Sequence, residues 1–233
     1  MDLDAILFDK DGTIFDFQAT WGPWAARAID QFAGSDASLH AALIKAMDYD
    51  WPAKRFFPTS FVIAGTMQEQ GAKLAELLPG RTTNDIIEEL NSLSKDVPQV
   101  PVGDIRDALS AVKSEGYRLG VMTNDAESSA RVHLEQAGVS DLFDIILGYD
   151  SGFGAKPDPS PLKAAADQLG VPTSRTTMVG DSTHDLQAAR AAGMRAIGVL
   201  TGPANRQELE PLAHLILPSI MDLPAALKSD ASF

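Results

Sequence analysis

The chain has 233 residues, 45% hydrophobic and 22% charged, with a formal net charge of −13 and no cysteine. That length allows one large domain or a domain with an inserted subdomain. The missing cysteines exclude disulfides, thiolate metal sites and a cysteine nucleophile. The acidic surplus argues against nucleic acid or an anionic membrane as partner, since both need basic surface.

Met1-Asp2-Leu3-Asp4 offers no basic leader, and no run approaches the ~18 apolar residues of a membrane span, so the expected setting is cytoplasmic. The apolar run Ala5-Ile6-Leu7-Phe8 predicts a short buried strand that delivers Asp9, Asp11, Gly12 and Thr13 at its carboxyl end. Two aspartates so close repel unless a cation or a proton intervenes. An ordinary strand-end turn and a cation site both fit them at this point. Lys10, between them, is expected by strand alternation to point away from Asp9.

From about residue 16 to 96 the pattern is helical, with no convincing strand. Trp21, Trp24, Ala25, Ala28 and Phe32 share one face, with Thr20 as N-cap. Leu39, Ala42, Leu43, Ala46 and Met47 repeat the spacing. A third helix is predicted from near Ser60 to Leu78, stopped by Pro79-Gly80, and a fourth carries Ile86, Ile87, Leu90 and Leu93.

Beyond Val97 strands and helices alternate. Asp104 caps a helix with Ile105, Ala108, Leu109 and Val112 inward. A strand over 118–122 then ends in Thr123-Asn124-Asp125, followed by a helix to about Ala137. A strand over 143–147 leads through a loop to Lys156-Pro157 and a helix from Ser160 to Gly170. The strand 176–179 enters Gly180-Asp181-Ser182-Thr183-His184-Asp185, and a helix over 186–192 stops at Gly193. Strands at 196–200 and 215–217 and a short helix at 223–227 complete the chain. Such alternation predicts an α/β fold, a Rossmann-like parallel sheet covered on both faces. Residues 1–15 and 97–233 would form this core and 16–96 an inserted helical cap, hinged near Asp16 and Val97 over the sheet edge that carries Asp9.

Four strand ends thus carry polar groups: Asp9/Asp11, Thr123/Asn124, Lys156 and Asp181/Asp185. Parallel sheets gather such positions at one edge, and carboxylates beside a lysine and a cation suit phosphoryl transfer. Asp181 and Asp185, spaced i, i+4, also fit a plain helix-start cap.

With these four stretches in order, the chain resembles the haloacid dehalogenase superfamily, in particular phosphatases of the phosphoglycolate phosphatase-like kind. The resemblance runs end to end and includes the cap. It implies a Mg²⁺-dependent phosphatase that hydrolyses a small phosphate monoester through an aspartyl-phosphate. By position, Asp9 would be the nucleophile and Asp11 the acid–base. Thr123 and Lys156 would complete the catalytic set. Gly12, Thr13, Thr123, Asn124 and Lys156 would line the phosphate. Asp9, Asp11 through its carbonyl, Asp181 and Asp185 would serve the Mg²⁺. A phosphomutase or phosphonatase on the same scaffold is the nearest alternative. A non-catalytic binding or signalling module is the alternative of a different class. The expected partner is a small phosphate ester, with neither nucleic acid nor membrane, and the expected state is monomer or homodimer.

Overall fold

The computed structural model describes residues 3–63, 65–94 and 97–229. Met1 and Asp2, read above for the absence of a leader, and residues 95 and 96, at the expected cap boundary, lie outside that set. The chain divides into two compact units, Met1–Asp16 with Pro101–Phe233, and Phe17–Val100.

In chain order, β1 (Ala5–Phe8) precedes α1 (Phe17–Ala33), α2 (Ala37–Ala46), β2 (Tyr49–Asp50), β3 (Arg55–Phe56), α3 (Met67–Ala75) and α4 (Thr83–Ser94). Next come α5 (Ile105–Ser114), β4 (Arg118–Met122), α6 (Glu127–Gln136), β5 (Ile145–Leu147), α7 (Ser160–Leu169) and β6 (Thr176–Gly180). The chain continues through α8 (Thr183–Ala192), β7 (Arg195–Val199), α9 (Arg206–Leu209), β8 (Leu215–Leu217) and α10 (Leu223–Ser229).

The first unit is built on a parallel six-stranded sheet in the order β5-β4-β1-β6-β7-β8. β1 lies at its centre, Leu7 in register with Gly120 on one side and Met178 on the other. All four β1 side chains are buried, and alternation sends them to opposite faces. Ile6 and Phe8 join Leu109, Leu134 and Leu223 from α5, α6 and α10. Ala5 and Leu7 join Leu162, Leu186 and Leu209 from α7, α8 and α9. Truncating such a core leucine to alanine costs about 2–5 kcal/mol. This is the doubly covered α/β sheet the alternation predicts.

The second unit departs from an all-helical reading. Tyr49–Asp50 and Arg55–Phe56 form an antiparallel pair, with Tyr49 opposite Phe56. Asp48 and Lys54 flank the reversal at φ 51° each. The Tyr49 hydroxyl donates to the Gly22 carbonyl at 2.6 Å, and the Gln18 side-chain amide brackets the Phe56 backbone. Two-residue strands carry no periodicity to read. Tertiary bonds to α1 and the edge-to-face contact of the Tyr49 and Phe56 rings hold them instead.

Two helix boundaries also differ. Thr20 lies inside α1 rather than at its start, and its hydroxyl accepts from the Val100 N–H at 3.1 Å. The helix expected from Ser60 to Leu78 is confined to Met67–Ala75, because Thr66 and Glu69 form a capping box that starts it late.

Candidate active site

β1 and its neighbours β4 and β6 meet where chain order reverses across the sheet, the place at which open parallel sheets hold their sites. Asp9 follows β1, and its N–H donates to the Val179 carbonyl of β6 at 2.9 Å. The chain then doubles back: the Lys10 carbonyl accepts from the N–H groups of Ile14 and Phe15, at 2.9 and 3.0 Å.

Asp181 follows β6 and is built in from three sides. The Thr13 hydroxyl donates to its Oδ1 at 3.0 Å. Gly12, at φ +90°, and Gly202 both press so close that a Cβ at either position would overlap its carboxylate. The Thr201 hydroxyl ties the two loops together by donating to the Gly12 carbonyl at 2.6 Å.

Asp185 sits in the first turn of α8. Its Oδ2 accepts from the Ser182 N–H at 3.0 Å and the Ser182 hydroxyl at 2.7 Å, closing a capping box. Its Oδ1 is free to take a different donor, and Lys156 supplies it. The Lys156 ammonium lies 2.6 Å from Asp185 Oδ1 and 2.6 Å from Asp9 Oδ1. The Asn124 side-chain amide clamps the Lys156 backbone, accepting from its N–H and donating to its carbonyl, each at 2.9 Å.

Asp9, Asp181 and Asp185 bring carboxylate oxygens within 4.8 Å of one another, all buried. Three carboxylates against one ammonium leave an excess of two negative charges. Burial pushes the Asp9 carboxyl up to about 7, with Asp185 and Asp11 adding to the rise and Lys156 opposing it. Asp181 is raised well above the carboxylate range, by burial first and then by Asp9 and Asp185. Burial pulls the Lys156 ammonium down, but Asp185 and Asp9 outweigh it and hold it above its ordinary value. A divalent cation matches the missing charge and the hard oxygen donors, so the residues present fit one.

A second charged cluster lies beside the first. The Lys10 ammonium, fully buried, sits 2.6 Å from Asp11 Oδ2, 3.3 Å from His133 Nδ1 and 3.4 Å from Asp125 Oδ2. The Lys10 side chain therefore forms its ion pairs away from Asp9, and it does so with the aspartate two positions further along.

Of the residues named from sequence, Asp9, Lys156, Asp181 and Asp185 meet directly, and Gly12 and Thr13 shape the pocket of Asp181. Thr123 is buried at the end of β4, its hydroxyl accepting from the Asp125 N–H at 3.0 Å. The Asn124 side chain, expected on the phosphate, bonds the Lys156 backbone. The Asp11 carboxylate pairs with Lys10 beside the trio. Sequence reasoning passed over Asp125, His133, Thr201 and Gly202. One signal was available: His133 occupies an inward position of α6 between Ala130 and Leu134, where an apolar residue belongs.

A family profile described as haloacid dehalogenase-like hydrolase matches residues 3–193. Phosphoglycolate phosphatase of Escherichia coli K12 is 28% identical over 97% of this chain and 93% of its own length. Phosphoglycolate phosphatase of Neisseria meningitidis is 43% identical over 102 residues, 44% of this chain and 43% of that protein. Four curated relatives are matched over only 43% to 51% of their length, so the chain spans about half of each. Among solved structures, a haloacid dehalogenase-like family hydrolase from Streptococcus pneumoniae superposes with a TM-score of 0.70 at 17% identity, covering 97% of this chain and 98% of that one.

Proposed function

This chain belongs to the haloacid dehalogenase-like hydrolase family, and from that membership we infer that it is a phosphatase of small phosphate monoesters, of the phosphoglycolate phosphatase kind. The observation that carries the reading is the Lys156 ammonium bridging Asp9 and Asp185 at 2.6 Å each, with Asp181 alongside. An ammonium so placed can hold a phosphoryl group against Asp9 while its charge offsets the approach of a dianion to carboxylates.

Asp9, Asp181 and Asp185, with the Asp11 carbonyl, would hold a divalent cation, and Mg²⁺ suits a site of few carboxylates completed by water. Bound there, the cation supplies the positive charge that lets a phosphate dianion enter. In the first step an Asp9 oxygen attacks phosphorus and the P–O bond to the alcohol breaks. Asp11, protonated, gives its proton to the departing oxygen, so the products are the alcohol, aspartyl-phosphate and the Asp11 carboxylate. In the second step that carboxylate takes a proton from water as the water oxygen attacks phosphorus. The Asp9–phosphate bond breaks, releasing inorganic phosphate and restoring both aspartates. Thr123 and Lys156 orient the phosphoryl oxygens throughout.

Rapid quench during turnover of radiolabelled monoesters with Mg²⁺ tests this. Label should be trapped on Asp9 and inorganic phosphate released, and Asp9→Asn should do neither. Phosphate release by Asp9→Asn at the wild-type rate would overturn the reading. Transfer to a second hydroxyl without release would mark a mutase instead.

A further inference from the structure

A lysine with no solvent exposure at a strand end is costly, because taking an ammonium out of water costs several kcal/mol unless its partners restore it. Partners surround it: the Lys10 ammonium lies 2.6 Å from Asp11 Oδ2, 3.3 Å from His133 Nδ1 and 3.4 Å from Asp125 Oδ2. The Phe15 ring lies 5.9 Å away and walls the site. The anchors come from separate elements, Asp125 from the loop after β4 and His133 from α6, so the ammonium is fixed by the framework.

Asp11 is the member of this cluster that faces outward, its side chain 15% exposed against 7% for Asp125 and none for Lys10 and His133. It precedes Gly12 in a tight loop, where a short carboxylate has several rotamers open to it. The strong contact at Oδ2 selects one.

We propose that Lys10 is the positioning residue of the acid–base: its 2.6 Å contact with Asp11 Oδ2 holds that carboxyl in the orientation from which it transfers a proton. The inference rests on the phosphatase reading above. In the first step the Asp11 carboxyl gives its proton to the leaving oxygen while Lys10 holds it in place. In the second, the carboxylate takes a proton from water with the Lys10 contact unchanged. Asp125 and His133 act one step further out, by holding the ammonium.

Lys10→Met keeps the stem and removes the charge. An alkyl ester needs its leaving oxygen protonated and a nitrophenyl ester does not, so the two separate acid catalysis from everything else. Misplacing a reacting group by about 1 Å costs on the order of 10²-fold. Lys10→Met should therefore lose about that much in kcat/KM on an alkyl phosphate, keep most of the nitrophenol burst, and accumulate phosphoenzyme after it. In an Asp11→Asn background the same substitution should have little further effect, because the group it positions is gone. Asp125→Asn, which loosens the ammonium without removing it, should show the same ester preference more weakly and serves if Lys10→Met melts below assay temperature. Equal losses on both esters, or a full additional loss on top of Asp11→Asn, would make Lys10 merely structural and overturn the proposal. A wild-type protein inactive on both esters would instead overturn the phosphatase reading that it rests on.

Discussion

Lys156→Met would strand two buried carboxylates at once. At an effective dielectric of about 20, each 2.6 Å contact is worth roughly 332/(20 × 2.6), or about 6 kcal/mol, of gross attraction. Desolvation of the ions takes back much of this, and breaking a buried pair by deleting one partner costs about 3–5 kcal/mol. Both pairs go together here, so the expected loss in chelator at pH 8 lies near the top of that range, about 5 kcal/mol. For a chain of this size it amounts to a melting point lower by about 10–20 °C. Two further arms follow from the charge count. Lowering the pH to 5 should shrink the loss, because the Asp9 carboxyl, raised to about 7, takes up a proton there and needs no partner. Adding Mg²⁺ should raise the melting point of the variant more than that of wild type, since the variant has one more uncompensated negative charge. Calorimetry or far-UV circular dichroism is the assay of choice, because Trp21, Trp24 and Trp51 all belong to the other unit. A variant as stable as wild type in chelator at pH 8 would refute the reasoning, for Lys156 would then not be neutralising these carboxylates.

EDTA should abolish phosphatase turnover and Mg²⁺ restore it, while Asp181→Asn should weaken Mg²⁺ binding in titration calorimetry; full activity in chelator would contradict the site. The metal-free protein should also lose stability as pH rises from about 4 to 7. A carboxyl whose folded pKa is raised, as Asp9 is from 3.8 to about 7, holds its proton more tightly when folded, so its contribution is complete below the unfolded pKa and gone above the folded one. Denaturant midpoints across that range in EDTA check the sign, and a flat profile counts against a buried Asp9. Gly202→Ala should weaken Mg²⁺ binding at least tenfold with the fold retained, because its Cβ displaces the Asp181 carboxylate; an unchanged affinity would show that the loop yields instead.

Much of this architecture was legible because it is written locally. The α/β core follows from apolar runs of strand length alternating with helices that have caps and stops. Asp9, Lys156, Asp181 and Asp185 could be placed together because parallel strands must end at one edge. What escaped the sequence depends on long-range partners or on very short elements. The β2–β3 pair has two residues per strand and no period. Lys10 meets His133 across 123 positions, and only the packed sheet says so. Asn124 has the chemistry of a phosphate donor, and nothing in its neighbourhood reveals that the Lys156 backbone takes its amide. The late start of α3 was readable, since Thr66 and Glu69 spell a capping box inside the span expected to be one helix from Ser60.

The Asn124 clamp has a bearing on how the molecule could be altered. By bonding both backbone groups of Lys156 it fastens the C-terminal end of the loop that follows β5. The tip of that loop holds Gly152 and Gly154, both at positive φ, and Phe153, which is 40% exposed. Lengthening a surface loop costs little entropy, about 0.6 kcal/mol per doubling, and the clamp on its far end keeps the change from reaching Lys156. The segment from 151 to 154 is therefore a natural splice point, where a peptide tag or a small folded module can be grafted without disturbing the lysine that the carboxylates depend on.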